Sequence, residues 1–189
     1  MLSNWRNTLR ILGMFVIPAV FLMVVGCSSN SPTGPGDGEE TPTYNTPKSL
    51  IIQQVHVGSF PSKKSNGDTW DWDPFSSTER RPDIYVNFGE KNKTADFRSI
   101  TKDNAVSGGY YDLTAKAKSS SKSMPYEANY KDTYTLALYD DDGLLADDKI
   151  GSKNVYISDL YGKDNATNFS KIIECSDGVK IQITGVWTY

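Results

Sequence analysis

From Lys48 onward the apolar and polar positions alternate with a period near two, which predicts strands rather than helices. Ser49–Phe60 (SLIIQQVHVGSF) sets Ile51, Val55 and Val57 among polar residues. Asp83–Gly89 (DIYVNFG) places Ile84, Val86 and Phe88 on one face and Asp83, Tyr85 and Asn87 on the other. Thr133–Asp140 (TYTLALYD) alternates Tyr134, Leu136 and Leu138 against Thr133, Thr135 and Ala137. Further strands are predicted at Lys153–Leu160, with Val155 and Ile157, and at Asn168–Cys175, with Phe169, Ile172 and Ile173. Ser176-Asp177-Gly178 then leads into Val179–Tyr189, and Asp-Gly between alternating segments signals a hairpin. Fainter patterns lie at Phe97–Ile100 and Gly109–Ala117. Short strands with turn-rich connections predict an all-β, antiparallel β-sandwich of about eight strands.

The pattern is different before residue 49. Met1–Arg10 carries Arg6 and Arg10 and no acid, and Ile11–Val25 (ILGMFVIPAVFLMVV) is apolar with an interruption at Pro18. As a helix that stretch would reach about 22 Å at ~1.5 Å per residue, short of a hydrocarbon core of about 30 Å. A charged start, a short apolar run and a small residue before a break predict a secretory signal. Val24-Val25-Gly26-Cys27 resembles the lipobox of bacterial lipoproteins. The resemblance implies cleavage before Cys27 and acylation of that cysteine, and each buried methylene would add about 0.8 kcal/mol of membrane affinity. The competing reading leaves Cys27 as a thiol in an uncleaved membrane segment. Ser28–Pro47 (SSNSPTGPGDGEETPTYNTP) has too few apolar residues to offset the entropy of ordering and is expected to be a tether. The expected organisation is therefore a signal peptide over 1–26, a lipidated flexible linker over 27–48 and a sandwich domain over 49–189. Ser28 after the cysteine implies, by the enterobacterial sorting rule, a lipid anchor in the outer membrane of the bacterial cell envelope. Cys175 is left without a partner and reads as a small buried hydrophobe.

Composition narrows the chemistry. The 189 residues carry 20 Lys+Arg and 23 Asp+Glu, a formal charge of −3, with one His and two Cys. That balance gives no basic footprint for nucleic acid. Two Cys make no disulfide framework, and one His excludes His-rich metal sites and His relays. His56 alternates with Val55 and Val57 and reads as structural. Neither Gly-x-Ser-x-Gly nor a phosphate loop is present, so a noncatalytic protein is expected. The acids are lopsided, 17 Asp to 6 Glu. Asp competes with a helix backbone for hydrogen bonds, so the excess points to loops, turns or oxygen-ligand metal sites.

The excess is concentrated at Asp140–Gly151 (DDDGLLADDKIG), between two predicted strands. Asp140 and Asp142 project to the same side if strand geometry continues through them. Such crowding is costly unless a cation is present or the loop stays solvated. An EF-hand does not fit, because Leu144 takes a ligand position and no Glu closes the loop. A second acidic segment, Gly67–Val86 (GDTWDWDPFSSTERRPDIYV), enters a strand at Asp83. Together the two segments resemble the C2 domain family of calcium- and phospholipid-binding sandwiches. Pro82-Asp83-Ile84-Tyr85-Val86 matches the family's first-loop motif with Ile84 in place of Pro. Asp140, Asp142, Asp148, Ile150 and Gly151 fall on its third-loop pattern without a gap, and Gly67-Asp68-Thr69-Trp70-Asp71 resembles a Gly-x-x-Trp-Asp found in some bacterial members. The first loop is longer than usual, and the family's Asn-Pro-x-Trp-Asn segment is reduced to Met124-Pro125-Tyr126.

The resemblance implies an eight-stranded sandwich with calcium between the two loops. The implied ligands are Asp71 or Asp73, with Asp68 a further first-loop alternative, then Asp83, Asp140, Asp142 and Asp148. Asp141 and Asp147 would be outer-shell or solvated. It also implies that apolar loop tips, here Trp70, Trp72, Phe75, Leu144 and Leu145, contact a membrane or a partner. The alternative for each Trp is to fold back over the core. The expected function is a monomeric calcium module at the envelope that docks onto lipid headgroups or a protein. The alternative is a glycan-binding sandwich with a structural calcium and Trp platforms.

Overall fold

The computed structural model describes residues 43–71, 81–143 and 146–189. The expected signal and anchor, including Cys27, lie outside the described residues, as do Trp72, Asp73, Phe75, Leu144 and Leu145. Among the described residues nine strands follow one another: β1 (Ser49–Ser59), β2 (Ile84–Glu90), β3 (Phe97–Arg98), β4 (Tyr111–Asp112), β5 (Tyr126–Asn129), β6 (Thr133–Asp140), β7 (Asp148–Tyr156), β8 (Asn168–Glu174) and β9 (Lys180–Thr188). All the pairings are antiparallel, in two sheets. One sheet runs β4-β1-β9-β8 with β5 also on β1, and the other runs β3-β2-β6-β7. β5 pairs with Ser49–Ile52 of β1 and β4 with His56 and Val57, so these two short strands share a single edge position. Nine strands thus fill the eight positions of the expected all-β sandwich.

The core lies between the sheets. Val55, Val57, Ile181, Ile183 and Trp187 from one sheet join Ile84, Val86, Phe88, Leu136 and Leu138 from the other in one buried cluster. Burying each such side chain contributes about 1.5–3 kcal/mol. β6 has the bounds that its alternation predicts, and its inward row of Tyr134, Leu136 and Leu138 ends on Asp140, which is fully buried.

Three departures from the alternation have local causes. In β1 the inward residues are Leu50 and Ile52, then Val55 and Val57, because a bulge between Ile52 and Gln54 inserts one residue and shifts the phase. Ile51 is therefore only half-buried. Beyond Tyr156 the predicted strand becomes a 3-10 turn over Ile157–Leu160. Residues three apart eclipse in that geometry, so Ile157 and Leu160 both reach the core. On the outer side of β2, Tyr85 is buried beneath Arg98, whose guanidinium stacks 3.5 Å from the ring.

The β8–β9 hairpin turns at Ser176–Gly178, where Asp177 (φ 57) and Gly178 (φ 74) take left-handed backbone. This turn presses on β7. A Cβ on Gly151 would stand 2.6 Å from the Ser176 carbonyl oxygen and 2.7 Å from Val179 Cγ2. Only glycine permits that approach, which seats the adjoining Ile150 in the core.

Candidate metal centre

The acidic end of the sandwich is assembled from three chain segments. The first is the loop after β1. Lys64 N–H donates to the Asp68 carbonyl (2.9 Å) and Gly67 N–H to the Lys64 carbonyl (2.9 Å), closing a tight turn. The Asn66 and Asp68 side chains brace it. Trp70 folds back, 6 % exposed, and its Nε1–H donates to the Pro61 carbonyl at 2.8 Å. This is the second of the two fates open to that tryptophan, and with its ring in the core it offers no loop-tip surface. The neighbouring Asp71 is thereby held at the cleft.

The second and third segments are the start of β2 and the hairpin between β6 and β7. Asp83 N–H donates to Asp140 Oδ1 (2.8 Å), and Asp141 N–H donates to the Asp83 carbonyl (2.8 Å). These bonds lock the two segments together. Asp83 Oδ1 accepts from Asn104 N–H at 2.7 Å.

Side-chain alternation then divides the acidic hairpin. Asp141 and Asp147 face outward to Arg98, at 2.9 Å and 3.3 Å. Thr101 Oγ1–H also donates to Asp141 (2.8 Å), and the Tyr85 hydroxyl to Asp147. On the other side, carboxylate oxygens of Asp71, Asp140 and Asp142 lie within 4.8 Å of one another. Asp83 and Asp148 line the same cleft. The Asp148 carboxylate is ion-paired with Lys64.

The inward group is electrostatically unsatisfied. Asp140 Oδ2 is buried and has no hydrogen-bond partner. Burial, then the charges of Asp71 and Asp142, push the Asp140 carboxyl up to about 7. Burial, then Asp83 and Asp142, push Asp71 up to about 6. Asp142 is raised by burial and by Asp148, and Asp83 by burial. An orphaned buried oxygen costs about 1–3 kcal/mol or more when charged. The donor set is entirely hard oxygen, carried on loops and strand ends, and fits a hard divalent cation better than a thiolate- or imidazole-seeking metal.

The acids of this cleft are legible in the sequence, but the two cations that meet them, Arg98 and Lys64, are not. Arg98 sits in a two-residue strand, and Lys64 in a polar loop. The opposite parity of Asp141 implies that it needs a partner on the outer face, but only the pairing of β3 with β2 supplies that partner. His56 is buried in β1, stacked on Tyr110 with ring centres 4.7 Å apart, on the sheet opposite the acidic hairpin. Cys175 is half-buried against the core, and burial raises its thiol to about 11, so it is inert as a nucleophile at neutral pH.

No protein family model and no curated protein matches the chain. Among solved structures it is similar to one described as a C2 domain, at 12 % identity and a TM-score of 0.46, covering 75 % of this chain and 99 % of that one. It is similar to the paired C2 domains of extended synaptotagmin 2 at 12 % identity and TM-score 0.45, covering 85 % of this chain and 49 % of that one. It is also similar to human GIVD cytosolic phospholipase A2 at 14 % identity and TM-score 0.40, over 76 % of this chain and 18 % of that one. The chain thus spans about half of the synaptotagmin chain and less than a fifth of the phospholipase. The two-sheet architecture rests on the strand pairing itself.

Proposed function

We propose that the described domain is a noncatalytic, C2-like module that binds calcium between its Asp-rich segments and docks onto phospholipid. The observation that carries this reading is Asp140 Oδ2, buried and unpartnered beside Asp71 and Asp142. Burying a partnerless carboxylate oxygen among other carboxylates costs stability that a bound cation would offset. Asp71, Asp140 and Asp142 would supply the primary oxygens, with Asp83 and Asp148 beside them. A bound cation would join two segments that otherwise repel, so binding and fold stability are linked.

The first 27 residues support a lipid-anchored envelope protein, with acylated Cys27 holding the domain at a membrane and calcium controlling a second contact. A second contact near the anchor needs little intrinsic affinity, because the tether raises the effective concentration. Extracellular calcium modules work at about 10⁻⁴–10⁻³ M, and an envelope site needs no better.

Calorimetric titration of the purified chain with calcium tests the metal reading, and calcium-dependent sedimentation with phosphatidylserine/phosphatidylcholine vesicles tests docking. Calcium heat that disappears in the Asp140→Ala plus Asp142→Ala variant is expected. Calcium heat without vesicle binding would remove the lipid partner and leave the metal site. Processing insensitive to globomycin, or a mature chain that does not begin at Cys27, would remove the anchor.

A further inference from the structure

Lys64 occupies an unusual place among the carboxylates of the cleft. Its side chain is only 27 % exposed, its ammonium lies 5.7 Å from the centre of the buried Trp70 ring, and it is ion-paired with Asp148. Its backbone is fixed by the turn to Gly67 and Asp68, so the ammonium is not carried on a free loop. The cleft that its side chain enters is also lined by Asp71, Asp83 and Asp142. Among the described residues, the clustered carboxylates are those of Asp71, Asp140 and Asp142, without Asp148.

We propose that Lys64 is a built-in cation that withdraws Asp148 from the ligand set and restricts the cleft to one divalent ion, held by Asp71, Asp140 and Asp142. The inference rests on the calcium reading above. Its physical basis is competition for charge. A monovalent cation tethered beside the site neutralises one carboxylate at no cost in binding entropy and repels any second divalent ion. The fixed turn and the ring face of Trp70 hold the ammonium against displacement. Lys64 is therefore a specificity-determining residue that sets stoichiometry.

Equilibrium dialysis of the full chain with radioactive calcium reads this directly, with circular dichroism confirming that each variant is folded. The wild type should bind one ion per chain. Lys64→Met should either admit a second ion or tighten the first about tenfold, the low end of what removing a neighbouring like charge yields. Asp148→Asn should lower wild-type affinity, by leaving the Lys64 ammonium unpaired, but by less than Asp142→Asn does, and should abolish the gain in the Lys64→Met background, a coupling that a merely structural lysine would not produce. Should Lys64→Met fail to fold, Asp148→Asn in the wild type still decides. A loss of affinity as large as that of Asp142→Asn makes Asp148 a ligand and overturns the proposal. Two ions in the wild type, or one ion with unchanged affinity in folded Lys64→Met, would also overturn it while leaving the calcium site standing. A wild type that binds no calcium would overturn both.

Discussion

The two faces of one acidic hairpin reach opposite electrostatic outcomes. Asp141 and Asp147 point outward and are met by Arg98, Thr101 and Tyr85, with the guanidinium held against the Tyr85 ring and that ring stacked on Tyr139. Asp140 and Asp142, each one residue from Asp141, point the other way, toward Asp71, and leave Asp140 Oδ2 buried with no partner. Residue type and sequence neighbourhood are the same, and only parity differs. On the outer face the chain brings its own cation, so those acids hold the hairpin closed. On the inner face, among the described residues, Lys64 is ion-paired with Asp148, while Asp71, Asp140 and Asp142 crowd together and Asp140 Oδ2 is left without a partner.

The largest effect that bears on this contrast is on binding. Asp140→Ala combined with Asp142→Ala should reduce calcium affinity by at least about a hundredfold, since two of three clustered oxygen donors are lost. Retained affinity in calorimetry would break the contrast. Next in size is Arg98→Ala, which strips the outer face of its cation. Two charge-assisted bonds and a stacked guanidinium are lost, and urea unfolding should show about 3 kcal/mol less stability. That loss should be similar with and without calcium. A calcium-dependent loss would mean that the two faces are not separate.

The pH response is smaller and has a definite sign. Asp71 and Asp140 have folded pKa values near 6 and 7, above the ordinary 3.8. Their contribution to stability is fully present below pH 3.8 and is lost as pH rises through 6 to 7. The calcium-free protein should therefore lose roughly 2 kcal/mol between pH 5 and pH 8, allowing for the partial exposure of Asp71. Lys64, Asp83, Asp142 and Asp148 face this pair. The depressed carboxyls, Asp96 with its Lys122 and Tyr126 hydrogen bonds and Asp112 with Thr114, act in the opposite direction. They do so below about pH 4, outside this window. Saturating calcium should flatten the profile, and denaturant melts at the two pH values would show it. The smallest effect is Thr101→Val, which removes one hydrogen bond to Asp141 and should cost about 1 kcal/mol regardless of calcium in the same urea assay.

Much of the fold is legible from period two, because each core strand buries one face and exposes the other. Thr133–Asp140 emerges with its predicted ends, and Asn168–Cys175 differs from the observed strand by one residue. The pattern fails where geometry is not periodic. The β1 bulge moves Leu50 and Ile52 inward, and Ile157 and Leu160 reach the core from a 3-10 turn. The broken edge formed by β4 and β5 is too short to carry a period. The clustering of Asp140 with Asp142 was likewise readable from spacing. The cations were not, because Lys64 and Asp148 are 84 residues apart and Arg98 and Asp141 are 43 apart. Which basic residue meets which acid at such separations is set by sheet order, and one sequence does not display it.

The central claim is that the inner carboxylates cost the fold stability until a divalent cation satisfies them. Thermal melting of the wild type and Asp140→Asn, each with and without calcium, tests it most directly. Asparagine keeps the acceptor for Asp83 N–H and replaces the orphaned oxygen with an amide that can donate to Asp71 and Asp142. Calcium at about 100 times its Kd should stabilise the wild type by about 2.7 kcal/mol, with a corresponding rise in Tm. Asp140→Asn should melt higher than the calcium-free wild type and no longer respond to calcium. An Asp140→Asn variant that melts lower than the calcium-free wild type and still gains stability from calcium would contradict it.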